Sequence, residues 1–258
     1  MNRIITIAFH TFKEAVRDKV LYNLIIFALL MIGCAILFSS ISVGIEEIIV
    51  IDLGLSSISV FGLIMAIFIG IGLVSKEIER RTIFHILSKP VRRFEFIIGK
   101  YLGLVFTLFI NTAIMTVGFY IALFYQTRRL GAGDLVPLAT IYFILLQLAI
   151  VVSLAIFFSC ISTPIMTAVF TFCVFVIGHL LSEMRWLGEA THSAMVKKVT
   201  AVLYYLLPNL SDFDFITRTA HGEKISGALI LSDSLYALLY VTVLISASIL
   251  IFEEREFR

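Results

Sequence analysis

The chain has 258 residues, 60% of them hydrophobic and 15% charged, with a mean hydropathy of +1.05. Soluble domains are about half apolar, so this composition excludes a water-soluble globular protein and points to a lipid environment. The net charge of +2 by itself says nothing about nucleic acid, because the basic residues are bunched in a few short stretches, and no nucleic-acid partner is expected.

Residues 3–18 come first and are amphipathic. Ile5, Ala8, Phe9, Phe12 and Val16 share one face at helical spacing, and Arg3, Thr6, His10, Lys13, Glu14 and Arg17 share the other. The pattern predicts a helix in the plane of the membrane interface, either an anchor whose basic side chains reach headgroups or a docking surface for a partner. Runs without Lys, Arg, Asp or Glu follow at 20–45, 53–75, 101–127 and 234–252. Each approaches or exceeds the ~20 residues that cross a bilayer core as a helix. The 48 uncharged residues between Asp134 and Glu183 would span about 72 Å as one helix, so they must fold back. "SCISTPIM" at 159–166, with Pro164, supplies the break, and the total is six spans.

Ten charges lie between Lys76 and Lys100. Ile78, Ile83, Phe84, Ile86 and Leu87 are interleaved with them, Pro90 interrupts, and the basic and aromatic "VRRFEFIIGK" follows. A loop that only marked topology would explain Arg80, Arg81, Arg92 and Arg93 but not Glu77, Glu79 and Glu95. Helix, break, helix instead suits the groove of another protein. "IIGKYL" is not a phosphate loop, because Tyr101 stands where a Ser or Thr is required and no Gly stands five residues before Gly99. Gly99 with Gly103, and Gly62, Ala66 and Gly70, are instead small residues at the spacing of close helix packing.

Residues 182–232 form the one substantial segment on the opposite side. Within it 194–207 is too short to span, and "PNLSDFDF" breaks the chain at Pro208 and Asn209. Ser211 followed by Asp214 predicts a capping box, and Asp212 and Asp214 are either cap and solvent residues or the rim of an exit from the membrane. Six spans put both ends of the chain on one side with thirteen of the twenty Lys and Arg, which the positive-inside rule makes the cytoplasm. The fold class expected is therefore an all-α polytopic membrane protein: six transmembrane helices, an N-terminal interfacial helix, and a short extracytoplasmic helical segment between spans five and six.

The uncharged runs carry few polar groups. Asn111, Gln147 and His179 read as interhelical hydrogen-bond partners, and the absence of ionisable groups at membrane depth argues against an ion-coupled carrier. His179 with Glu183, and His192 three residues after Glu189, leave a metal site conceivable. Isolated Met31, Met65, Met115 and Met166 read as packing. Cys34, Cys160 and Cys173 read as small buried hydrophobes, with no paired spacing for a disulfide or zinc.

"EIERRTIFHILSKPVRRFEFIIGKYLG" resembles the signature of the ABC-2 type exporter permeases. The matching positions are Glu77 or Glu79, Thr82, Leu87, Pro90, Arg93, Gly99 and Lys100. The resemblance extends to "FHTFKEAVRDK", the six spans, "LPNLSDF" and the tail "FEEREFR", and comes nearest the branch with a permease for nitrous oxide reductase maturation. Arg81 departs from it, since many members have Gly there. The resemblance implies one transmembrane domain over 1–258, with 3–18 as connecting helix, 76–100 as coupling loop and 182–232 as extracytoplasmic segment. It implies an ATPase-coupling set of Glu77, Glu79, Arg80, Arg81, Thr82, Leu87, Pro90, Arg93, Gly99 and Lys100, and an outer gate at Pro208, Asn209, Asp212 and Asp214. The permease would bind no cofactor itself and would not be an enzyme alone. ATP and Mg would sit on two copies of a separate ATP-binding subunit, working with a homodimer of this chain in the cytoplasmic membrane. A force-transmitting scaffold with an envelope partner, and an ion-coupled carrier, are the alternative functions.

Overall fold

A computed structural model describes residues 2–42, 44–79, 92–128, 136–190, 194–223 and 225–254. The described residues are helical with short turns and contain no strand. In chain order the helices are α1 (Asn2–Val16), α2 (Lys19–Ile41), α3 (Glu46–Glu79), α4 (Arg93–Thr127), α5 (Val136–Ile161), α6 (Pro164–Ala190), α7 (Ala194–Leu206), α8 (Ile216–Ala220) and α9 (Gly227–Glu254). A single 3-10 turn at Ser211–Phe213 precedes α8. Six of these helices, α2 to α6 and α9, are long and apolar enough to cross a membrane.

Local chemistry explains several boundaries. Asp18 caps α2 by accepting the Val20 amide at 3.0 Å. Pro164 opens α6 at the first helical position, where its missing N–H is not needed, so the fold-back lies where the sequence predicts it. Several spans are longer than their uncharged runs, α9 among them, which begins at Gly227 and takes in Asp233. α3 begins at Glu46, so Asp52 lies inside a spanning helix. α4 begins at Arg93, with Glu95 accepting the Arg92 amide at 3.0 Å, so "RFEFIIGK" is the first two turns of a span and not a separate helix of the loop. The expectation that spans lack ionisable groups is therefore corrected: a charge near one end does not stop a helix whose apolar face still has neighbours.

α5 is the central element. About two-thirds of its apolar stretch is buried, 67% against 22% for α2 and for α6, and it packs against α3, α4, α6 and α9. Phe143, Ile144, Leu148, Val151, Val152, Ala155 and Ile156 form its share of the core. Lipid is as apolar as leucine, so close van der Waals fit must hold such helices together. Gly62 and Gly70 provide it as predicted: a Cβ there would lie 2.7 Å from Leu148 Cδ1 and 2.5 Å from Ala155 Cβ. The outer faces of α2, α4, α6 and α9 leave large apolar side chains such as Phe27, Phe109, Phe172 and Leu238 exposed.

Candidate functional site: the two ends of the bundle

At one end, α1, the start of α4 and the end of α9 meet. α1 lies against α4 through Ile4, Ile7, Ala8 and Thr11. Gly99 and Gly103 make that approach feasible: a Cβ at 99 would sit 2.8 Å from Ile7 Cβ, and one at 103 would sit 2.5 Å from Ala8 O and 2.7 Å from Thr11 Cβ. The predicted apolar face of α1 is thus corrected. Ile5 and Phe9 are exposed, 61% and 62%, while Phe12 meets the ring of Phe106 with centroids 5.0 Å apart. The helix has three faces: one on α4, one polar, and one apolar and outward. Sequence periodicity merges the first and third, because two adjoining apolar stripes look like one.

Lys100 is buried, with its Nζ 5.5 Å from the centre of the Phe96 ring. Gly99 beside it is covered by Ile7, so this Gly–Lys pair has no room for a phosphate. Arg93 reaches the last turn of α9, donating from Nη1 to the carbonyls of Phe252 at 2.8 Å and Glu253 at 2.6 Å. The Phe96 and Phe252 rings stack beside it, centroids 5.9 Å apart. Both carbonyls lie in the last turn of α9, where a cation is a natural cap. Of the coupling set, Arg93, Gly99 and Lys100 are brought together here. Glu77 and Glu79 fall in the last turn of α3, and Arg80, Arg81, Thr82, Leu87 and Pro90 lie outside the described residues.

At the opposite end the chain after α7 turns back into the bundle. Leu210 donates its amide to Gly178 O on α6 at 3.0 Å, and a Cβ at 178 would lie 2.7 Å from Pro208 O. Then "SDFDF" alternates. Phe213 and Phe215 are buried against Phe143 of α5, while Asp212 and Asp214 are exposed. The capping expectation is corrected in one respect: Asp214, not Ser211, serves α8, accepting the Ile216 amide at 3.3 Å. Ser211 instead donates to Asn209 Oδ1 at 2.6 Å. Buried Asn209 donates from Nδ2 to Asp212 at 2.7 Å and from its amide to Tyr236 Oη of α9 at 2.9 Å.

A polar chain links this turn to the core. His179 donates from Nε2 to Asp214 Oδ2 at 3.2 Å, and its Nδ1 accepts from Gln147 Nε2 at 3.3 Å; an acceptor-only carboxylate fixes that assignment. The hydrogen bond from His179 holds the Asp214 carboxyl below its ordinary range against the opposing effect of burial. Burial pushes Asp212 up, assisted by Asp233 and opposed by Asn209. Pro208, Asn209, Asp212 and Asp214 are therefore gathered as one cap; Gln147 and His179, expected as interhelical hydrogen-bond partners, do bond between α5 and α6 and extend it, and Tyr236 is a member that sequence spacing missed. The alternation in "SDFDF" was the available signal. Glu183 is exposed, His192 lies outside the described residues, and among the described residues no three of His, Cys, Asp and Glu gather as metal ligands. Asn111 of α4 donates to Met65 Sδ of α3 at 3.5 Å, while Met31 and Met166 lie on the outer surface.

The profile of the ABC-2 family transporter proteins matches residues 5–257. The chain belongs to that family. No curated protein shows significant similarity to it. Family membership and six apolar helices make this ABC-2 transporter protein a multi-pass membrane transport component. Both ends of the bundle, and almost the entire chain between them, fall within the match.

Proposed function

We propose that this protein is the permease half of an ATP-driven exporter in the cytoplasmic membrane. Two copies work with two copies of a separate ATP-binding subunit, which holds ATP and Mg. Both chain ends face the cytoplasm, residues 76–100, which take in the end of α3, the connection to α4 and the first turns of α4, form the region that couples to the ATPase, and 3–18 form the connecting helix. The branch with the nitrous oxide reductase maturation permease is the one its loop resembles. The carrying observation is the construction of the end that holds α1. The Gly99–Gly103 seam ties α1 to α4, and Arg93 ties α4 to α9, so a push on the loop between α3 and α4 is shared by four helices. The cap of Pro208, Asn209, Asp212 and Asp214 is the outer gate, closed by Phe213 and Phe215 against α5.

The reading is tested by reversing charge at Glu77, Glu79 and Arg81 together and measuring ATP turnover by the reconstituted complex. Stimulation of the ATPase by the permease should disappear while membrane insertion persists. Unchanged stimulation refutes this loop as the point of transmission. A second reading, a scaffold that passes force to an envelope partner, is favoured by α7, whose Val199, Val202, Tyr205 and Leu206 are exposed. Capture of an envelope protein by 182–232, with no substrate movement in proteoliposomes, would distinguish it.

A further inference from the structure

Asp52 is one of the ionisable groups, with Lys100 and Asp233, that the uncharged-run reading left outside the spans. It lies six residues into α3, about 9 Å along the helix from Glu46 at ~1.5 Å per residue, and is half-buried. Among the described residues no hydrogen bond or ion pair to its carboxylate is observed. A carboxylate within a spanning helix and without a partner is costly and calls for a cationic one. It lines a cavity of about 580 Å³ between the end of α2, the start of α3 and α8. That volume is in the range of small-molecule sites.

The walls define what fits. Phe38, Ile41, Ile48, Ile49 and Leu53 make them mostly apolar, and the Phe38 ring can face a cation. Ser42 after α2, Thr217 of α8 and His221 just past its end add polar groups. His221 Nδ1 is 2.8 Å from Thr217 O, so Nδ1 carries the proton in the neutral ring and Nε2 is left as an acceptor. Arg218, the cation of α8, lies over the Phe215 ring, 5.7 Å from its centre, and does not line the cavity. Exposed Glu46 and Glu47 at the start of α3 add negative potential at the same end.

We propose that this cavity binds an amphipathic organic cation carrying an N–H ammonium group, with its apolar body between α2 and α3 and its ammonium on Asp52. A carboxylate in an apolar chamber selects a protonated amine over a neutral isostere. The site needs no ATPase, so it goes beyond the transport reading and its test is independent of it.

The test is equilibrium dialysis of radiolabelled 3,3-diphenylpropylamine, with 3,3-diphenylpropanol as neutral counterpart, against the full chain in nanodiscs with empty nanodiscs subtracted. The amine should bind saturably. Asp52→Asn should weaken it at least tenfold and leave the alcohol unchanged, whereas Asp52→Glu should retain most amine affinity. Leu53→Trp, which fills the cavity without removing the charge, should weaken both ligands. Absence of saturable amine binding, or equal affinity in the wild type and Asp52→Asn, overturns the proposal. Should Asp52→Asn fail to fold, Leu53→Trp binding the amine as tightly as the wild type overturns it as well.

Discussion

Replacing Gly103 by alanine probes the seam on which α1 rests. The new Cβ would lie 2.5 Å from Ala8 O and 2.7 Å from Thr11 Cβ, whereas carbon contacts are comfortable at about 3.5–4.0 Å. The obstructing atoms are a backbone carbonyl and the root of a side chain, so no rotamer change relieves the clash, and α1 must retreat by about 1 Å. Overpacking of this kind costs about 1–3 kcal/mol, which raises the undocked population of α1 by about 5- to 150-fold. Gly33→Ala is the control, since a Cβ there meets nothing within 4 Å and alanine is the better helix former by about 1 kcal/mol. In nanodiscs, trypsin should cut at Lys13 and Arg17 faster in Gly103→Ala, while Gly33→Ala should match or exceed the wild type in Tm. Equal protection of α1 in the two variants would refute the claim that this glycine is there for the close approach of α1.

The cap at residues 208–216 should respond to pH in two opposite senses. Asp214, held below its ordinary range by His179, contributes stability that is present above the ordinary carboxylate value and is lost as pH falls through the depressed one. Asp212, pushed up by burial, contributes most below the ordinary value and loses that contribution as pH rises through the raised one. Hydrogen exchange of residues 208–216 should thus lose its acid-side dependence in Asp214→Asn and its higher-pH dependence in Asp212→Asn; identical profiles would disprove the assignment. Arg93→Ala removes two hydrogen bonds to the last carbonyls of α9, a loss of about 1–2 kcal/mol for a half-buried donor. Faster exchange confined to residues 250–254, with little change in Tm, is expected. A large global loss of stability would instead show that the clamp supports the whole bundle.

The sequence by itself determined whatever depends on local composition. Six apolar runs, the break at Pro164, the non-spanning segment at 194–207 and the packing glycines follow from chain length, hydropathy and missing side chains, all read within a few turns. Tertiary structure decided which side chains meet. Gln147, His179 and Asp214 are brought into line only because Gly178 lets the segment after α7 approach α6, while Phe213 and Phe215 turn inward and leave Asp214 facing out. The face of α1 that packs was likewise illegible, since lipid-facing and protein-facing stripes are both apolar. Asp52 and Lys100 entered the spans because a helix ends where its hydrogen bonding and packing end, which need not coincide with the first charge.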